Sequence, residues 1–376
     1  MADVVGQTVP TAAPDGYIGR FLALHLHKNK LASEVRLVDK VLPQLAWLAP
    51  EFDEACSPSV FMQADASREQ SIGRVFDRAD GKSWDYVFNC GGETRYSQED
   101  EVYKLRSLQL SVIAGKEAAR RGVKVFVEVS VGMVYKPDSV PRKETDKTKP
   151  WMRLAKYKLM AEEELAKIEG LNLAILRIAH VYGDYSSKYI ATAMAMARTY
   201  QHLEKEMKFM YTKDLMINTV HIHDVARALW RTAEWFDQGK PGWDKSWGNV
   251  PLFNIVDHGN TSQGTVEKII GDIFNIPTSF LGQFLSTLAR LNLDHVVDDV
   301  NDELLGPWAD LLVSADILRP GPLSPFMEKE LLKDMDLALD GSRFESVTGF
   351  QYEVPEMTKA EVEKMIESYK RMKWWP

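Results

Sequence analysis

The sequence predicts an α/β fold: a doubly wound parallel sheet over about residues 1–260, followed by a smaller, mostly helical carboxyl-terminal part over 261–376. Three observations predict it. Short, nearly continuous apolar runs alternate with helix-length stretches, which is the pattern of βαβ units. The runs lack polar alternation, so the sheet is covered on both faces. After residue 260 the alternation gives way to helical segments punctuated by Pro320, Pro322 and Pro325.

The strands are read at Val35–Val38, Tyr86–Phe88, Val125–Val129 and Leu173–Leu176, with a further one at Leu252–Val256. The helices between them are Ile18–Lys28, Glu69–Arg78, Glu101–Arg121 and Trp151–Glu169. Gly122 and Gly170 each stop a helix just before a strand. Asp224 has a side-chain oxygen suited to cap a helix over Val225–Phe236. Beyond 260, helices are expected at Thr265–Phe274, Ser279–Leu291, Asp302–Ala315, Pro325–Met335 and Lys359–Met372. The stretch Phe280–Leu288 carries an apolar stripe. Packing against the sheet domain explains it most simply. A lid over a lipophilic substrate or a weak membrane-surface contact is the sharper reading.

Composition narrows the function. The chain has 376 residues, 45% hydrophobic and 27% charged, which is ordinary for a globular protein and long enough for a large core. The net charge of -8 speaks against a nucleic-acid binder, which needs a basic face. Cys56 and Cys90 cannot build a disulfide framework and suit a reducing compartment. No apolar run reaches the length of a membrane span, and no signal peptide is read at the start. A cytoplasmic protein with a small-molecule substrate is expected, and a homodimer is compatible with this reading. His221 and His223 lack a third ligand nearby in the sequence, so no metal site is expected.

Seven local patterns occur in a characteristic order: Asp15-Gly16-Tyr17-Ile18-Gly19, Val35-Arg36-Leu37-Val38-Asp39, Gln63-Ala64-Asp65, Asp85 to Gly92, Leu176 to Gly183, Thr219 to Ala228, and Asp340 to Arg343 with Gly349, Phe350 and Pro355. Together they resemble the extended short-chain dehydrogenase/reductase family, which includes NAD-dependent epimerases and dehydratases and 3β-hydroxysteroid dehydrogenases; the likeness extends to uncharacterised fungal members. The resemblance implies a Rossmann-type fold whose helical end covers the substrate, with substrate-binding segments inserted from about residue 178. It implies NAD as cofactor, with NADP admitted because Lys40 follows Asp39. Cofactor contacts are expected from Gly16, Tyr17, Ile18, Gly19, Asp39, Asp65, Asn89, Gly91, Lys158 and Ile178. In such folds the pyrophosphate meets a helix N-terminus, and an acid such as Asp39 takes the ribose hydroxyls.

The chain departs from the family pattern at three places. Before Gly16, the family's short strand and glycine turn are replaced by Gly6 to Asp15, with Pro10, Pro14 and an alanine, Ala13, at a glycine position. Either the loop is enlarged or the first strand is damaged. In the family's Tyr-x-x-x-Lys motif the lysine is Lys158, but Leu154 holds the tyrosine position. Tyr157 is adjacent and about 100° away around an ideal helix. The usual active-site Ser/Thr falls on Val131, with Ser130 one residue off. The family's helix asparagine falls on Ser107. The candidate catalytic set is therefore Lys158, Tyr157 and Ser130. Arg177, Lys188 and Arg343 stand where nucleotide-sugar enzymes place charge near a substrate pyrophosphate, although structural roles fit them equally well.

The leading expectation is redox-linked epimerase, dehydratase or dehydrogenase chemistry on a nucleotide sugar, a sterol-like molecule or a secondary-metabolite intermediate. Two alternatives stay open: a catalytically decayed scaffold or sensor that still binds cofactor, and a non-redox tailoring isomerase, dehydratase or cyclase of secondary metabolism.

Overall fold

The computed structural model describes residues 2–7, 16–282 and 293–376. Seven parallel strands form the main sheet: β1 (Ala2–Gln7), β2 (Ala32–Asp39), β3 (Phe61–Gln63), β4 (Tyr86–Asn89), β5 (Val125–Val131), β6 (Leu173–Ile178) and β7 (Leu252–Ile255). Their order is β7-β6-β5-β4-β1-β2-β3. The chain runs outward from β1 to β3, then returns to pair β4 on the other side of β1. Strand order thus reverses between β1 and β4, whose last residues, Gln7 and Asn89, lie in register. An open parallel sheet binds ligands in the crevice beyond the carboxyl ends at such a point.

The first strand is intact. Ala2–Gln7 lies inside the sheet, paired on both sides, with Gly6 opposite Leu37 and Phe88. Of the two readings of the amino terminus, strand damage is therefore corrected. The departure is in the connection between Gln7 and the helix Tyr17–Asn29, where residues 8–15 lie outside the described residues.

Helices cover both faces, as the apolar strands require. One face packs Ile72, Val75 and Phe76 with Leu110, Ile113, Ala114 and Leu165 over Val87, Phe126 and Ile175. The other packs Leu22 and Leu26 with Val225, Leu229, Ala233 and Trp235 over Phe88, Val127, Leu176 and Phe253. A third cluster joins the helices Ile190–His202, Gln263–Phe274, Leu293–Ser314 and Lys359–Arg371 through Met194, Ile270, Leu304, Trp308, Met365 and Tyr369.

Three expected elements differ. The helix expected from Asp224 begins earlier, at Ile222, and His221 caps it by accepting the His223 N–H at 3.4 Å. Asp224 is instead fully buried in the first turn. Its carboxylate accepts the N–H groups of Glu353 and Val354 at 2.9 and 2.8 Å and pairs with Arg227 at 2.5 Å. A carboxylate that late segments can reach is worth more as a tertiary clasp than as a cap. Pro325–Met335 forms only a 3-10 turn at Lys329–Leu331. Its polar groups are spent on distant partners: Met327 N–H on Asn301, Leu332 O on Tyr211 and the Lys333 ammonium on Trp151 O. At Ser279–Leu291, Thr278–Phe280 is a short strand paired with Met207–Phe209, and residues 283–292 lie outside the described residues. The lid and membrane-contact readings of that stretch fall largely there.

Asp257 follows β7 and clasps neighbouring segments. It accepts the Thr219 hydroxyl at 2.8 Å and the Gly259 N–H at 3.0 Å. Burial raises its carboxyl to about 7, against the opposing pull of those hydrogen bonds. An unfolded aspartate titrates near ~4. Between these values the folded chain holds a proton that the unfolded chain has released, so stability falls as pH rises from about 4 to about 7. Asp257→Asn is expected to flatten that fall by about 1–2 kcal/mol, read as urea midpoints at acid and neutral pH. Equal slopes in both chains would show that Asp257 does not carry it.

Candidate functional site

At the carboxyl ends of β4, β5 and β6 lies a cleft of about 200 Å³. Tyr17 and Ile18, from the start of the Tyr17–Asn29 helix, form one wall. The loop Cys90–Thr94 after β4, the β5 end Val129–Val131 with Met133, and Ile178–Val181 after β6 form the others. Leu154 and Lys158, from the helix Arg153–Leu165, reach in from the side, and Ser186–Lys188 closes the far end.

Lys158 stands at the centre and is 6% exposed. Its ammonium donates to Gly91 O at 2.8 Å, Val129 O at 2.8 Å and Glu128 Oε1 at 3.2 Å. An ammonium has three donors, so all are engaged. Glu128 is fully buried in the middle of β5 and also accepts Asn89 Nδ2 at 2.5 Å and Ser111 Oγ at 2.9 Å. Burial raises its carboxyl, and the Lys158 charge and these donors oppose the shift. The visible signal for this partner was a glutamate inside an otherwise apolar strand, Val-Phe-Val-Glu-Val.

The loop after β4 is built around that lysine. Gly92 has φ of +151°, and a Cβ there would lie 3.0 Å from Lys158 Cε and 3.4 Å from Ser107 Oγ. Ser107 sits in a π-helical stretch, Lys104–Gln109, and accepts the Glu93 N–H at 3.0 Å. Such bulges inside helices recur at functional sites. Glu93, 1% exposed, is clamped by Arg95 at 2.9 Å and Arg106 at 2.7 Å. Burial raises its carboxyl, but those hydrogen bonds outweigh it and leave it below the usual range.

The other two expected catalytic groups face elsewhere. Tyr157 does not line the cleft; its ring stacks on Tyr103 with centroids 6.1 Å apart, beside Leu154. The Ser130 hydroxyl donates to Glu162, a carboxylate that also holds Arg177 at 2.6 Å. Val131 and Leu154 present hydrocarbon to the cleft. Arg343 pairs with Glu144 at 3.3 Å, which leaves Lys188 as the one of the three proposed pyrophosphate cations lining the cleft; it donates to Thr94 O at 3.1 Å.

A shallower depression opens at the ends of β2 and β3. Val38, Asp39, Lys40, Asp65 and Arg106 are among the residues lining it. Asp39 is 4% exposed and accepts the Val41 N–H at 2.8 Å. Asp65 accepts the Ser67 N–H at 3.1 Å and its hydroxyl at 2.6 Å. Asn89 lies behind the cleft, fully buried, and its Oδ1 accepts the Gly91 N–H at 3.2 Å. Gly16 is the N-cap of the first helix, and Gly19 is buried in its first turn. Ile178 and Gly91 line the main cleft.

The sequence profile of the NAD dependent epimerase/dehydratase family matches residues 15–245, well over half the chain. This chain belongs to that family. Solved structures of similar fold include MoeE5 in complex with UDP-glucose and NAD, at 16% identity and TM-score 0.63, covering 98% of this chain and 99% of that one. WbmG of Bordetella bronchiseptica in complex with NAD and UDP has 15% identity and TM-score 0.66, covering 100% and 96%. UDP-glucose 4-epimerase of Thermotoga maritima with UDP-glucose has 16% identity and TM-score 0.65, covering 98% and 99%. At these identities the likeness is one of fold, and it agrees with the Rossmann-type sheet seen here. No curated protein matches. Among the described residues, no helix is long and apolar enough to cross a membrane, and no cluster of three or more His, Cys, Asp or Glu is arranged to hold a metal.

Proposed function

We propose that this family member binds NAD across the β1/β4 switch point and carries out redox-linked chemistry on a nucleotide sugar. The observation that carries the reading is the placement of two recesses along one crevice. The Asp39 depression lies at the end of β2, and the Lys158 cleft lies beyond β4 and β5. A dinucleotide has this extended form. Between them stands the N-terminus of the Tyr17–Asn29 helix, with no side-chain cap and no acid in its first turn. The N–H groups of its first turn suit a pyrophosphate. Asp39 takes the adenine ribose in this reading, and Ile178, Gly91 and the Lys158 stem flank the nicotinamide end. Bound NAD supplies hydride transfer. The protein supplies orientation and the walls that exclude water. Lys188 and the Ser186–Ser187 hydroxyls at the far end suit the substrate's phosphates.

Lys158 acts here chiefly by shaping the loop. Its three acceptors fix Gly91 and the end of β5, so a ribose hydroxyl gains access to the ammonium only by displacing one of them. A second reading is favoured by Leu154 and Val131. These hydrocarbon side chains stand where the resembled family places its hydroxyls, as a cofactor-binding sensor without turnover would allow.

The first experiment is calorimetric titration with NAD. One site is expected, weaker than in a variant whose residues 6–16 are replaced by a strand end and an intact glycine turn. Equal affinity in both chains would show that the Pro10–Pro14 insertion is harmless. Absence of binding in both would remove the proposal.

A further inference from the structure

The chain leaves β6 at Ala179 and enters the short strand His180–Tyr182, which pairs with Thr219–His221. The His180 N–H is fixed to Asn218 O at 3.1 Å. His180, 8% exposed, lines both the main cleft and a second cavity of about 40 Å³. The imidazole lies flat on Tyr189, with centroids 3.9 Å apart and planes within 5°. Tyr189 is held at φ 56° and ψ -95°, a region a side-chain-bearing residue seldom occupies. Such outliers persist where surrounding structure demands them, often at functional sites. Neither ring nitrogen of His180 has a hydrogen-bond partner among the described residues.

Several other groups of the cleft are held or poorly suited to proton exchange, and the Ser186 and Ser187 hydroxyls stand at its far end. The Tyr17 hydroxyl donates to Asp184 O at 3.0 Å. Burial pushes the Cys90 thiol up to about 12. Glu93 is ion-paired twice, Lys158 is saturated, and Lys188 is bound to Thr94. Leu154 and Val131 carry no transferable proton.

We propose that His180 is the residue that exchanges a proton with the substrate oxygen in this cleft. The inference rests on the proposed function. In the oxidative direction the substrate carbon gives up its hydrogen as hydride, with both electrons, to the nicotinamide dinucleotide. The hydroxyl proton passes to an imidazole nitrogen, and the oxygen's electron pair closes the C=O bond. The reverse step returns the proton and hydride. Tyr189 lies across the stack; Tyr17, Cys90, Glu93, Tyr96, Lys158 and Lys188 line the main cleft with His180, and Tyr211 and Lys333 line the second cavity with it. Burial alone lowers the imidazole to about 4, so it stands neutral and ready to accept. The charge of a bound diphosphate raises it toward neutrality.

His180 follows alanine, and no other histidine of the sequence does. Carbonyl-labelled alanine with nitrogen-labelled histidine therefore marks its peptide group in the intact chain. The expected result is a titration midpoint near 4 in the free protein that rises by at least about one unit when UDP-glucose is added with NAD. His180→Phe, which keeps the stack and removes both nitrogens, is expected to lower conversion of UDP-glucose by about 100-fold or more while NAD affinity stays within about threefold. The labelled wild type needs no variant to fold. A midpoint unmoved by both ligands overturns the inference, as does wild-type turnover in His180→Phe. Failure of NAD to bind overturns the proposed function, and this inference with it. NAD binding with a silent His180 removes this inference alone.

Discussion

Lys158→Met is expected to destabilise the fold by about 3–5 kcal/mol, the usual effect of stripping one partner from a buried ion pair. The mutation leaves Glu128 with two neutral donors, Asn89 and Ser111, in a fully buried site. It also frees Gly91 O and Val129 O, whose donor was the same ammonium. Lys158→Met with Glu128→Gln is expected to recover a large part of the loss, since the buried charge is gone. Denaturant unfolding of the two chains measures this. If the single variant unfolds at the wild-type midpoint, the ammonium is not held as described. The comparison also separates two roles of the lysine. A double variant that is stable but binds NAD weakly would locate a direct cofactor contact. One that binds normally would leave Lys158 as the residue that shapes the Gly91–Gly92 turn.

Asp39→Ala is expected to weaken NAD binding by about 10- to 100-fold, the range of a charge-assisted hydrogen bond of about 1.5–3 kcal/mol. The same change narrows the preference over NADP, because a carboxylate repels a 2′-phosphate. Lys40 and Arg106 border the depression and would then meet that phosphate. Titration of both dinucleotides into both chains checks this. Unchanged NAD affinity in Asp39→Ala would place the adenine ribose elsewhere.

The sheet was legible because its strands are buried on both faces and therefore read as apolar runs. The amino terminus was less so. Gly6 and the prolines at 10 and 14 obscured a strand that pairs with its neighbours β2 and β4. Asp224 and the 325–335 segment misled for a shared reason. Local rules count what a residue offers its neighbours, whereas here the carboxylate and the chain's polar groups are taken by segments about 25 to 130 residues away or more. In the site, Lys158, Leu154 and Val131 were visible from motif spacing. Glu128 showed itself only as a charge in an apolar run, and nothing local said that it faces the lysine. His180 carried no signal at all, because its significance lies in which neighbouring groups are already bonded.

One crevice over the β1/β4 switch is expected to hold NAD. Calorimetric titration of NAD into this chain, alongside Asp39→Ala, decides the matter. One NAD per chain is expected, with a binding isotherm weakened by the Asp39 change. An absence of binding heat up to millimolar NAD, confirmed by equilibrium dialysis, would contradict it, as would binding indifferent to Asp39.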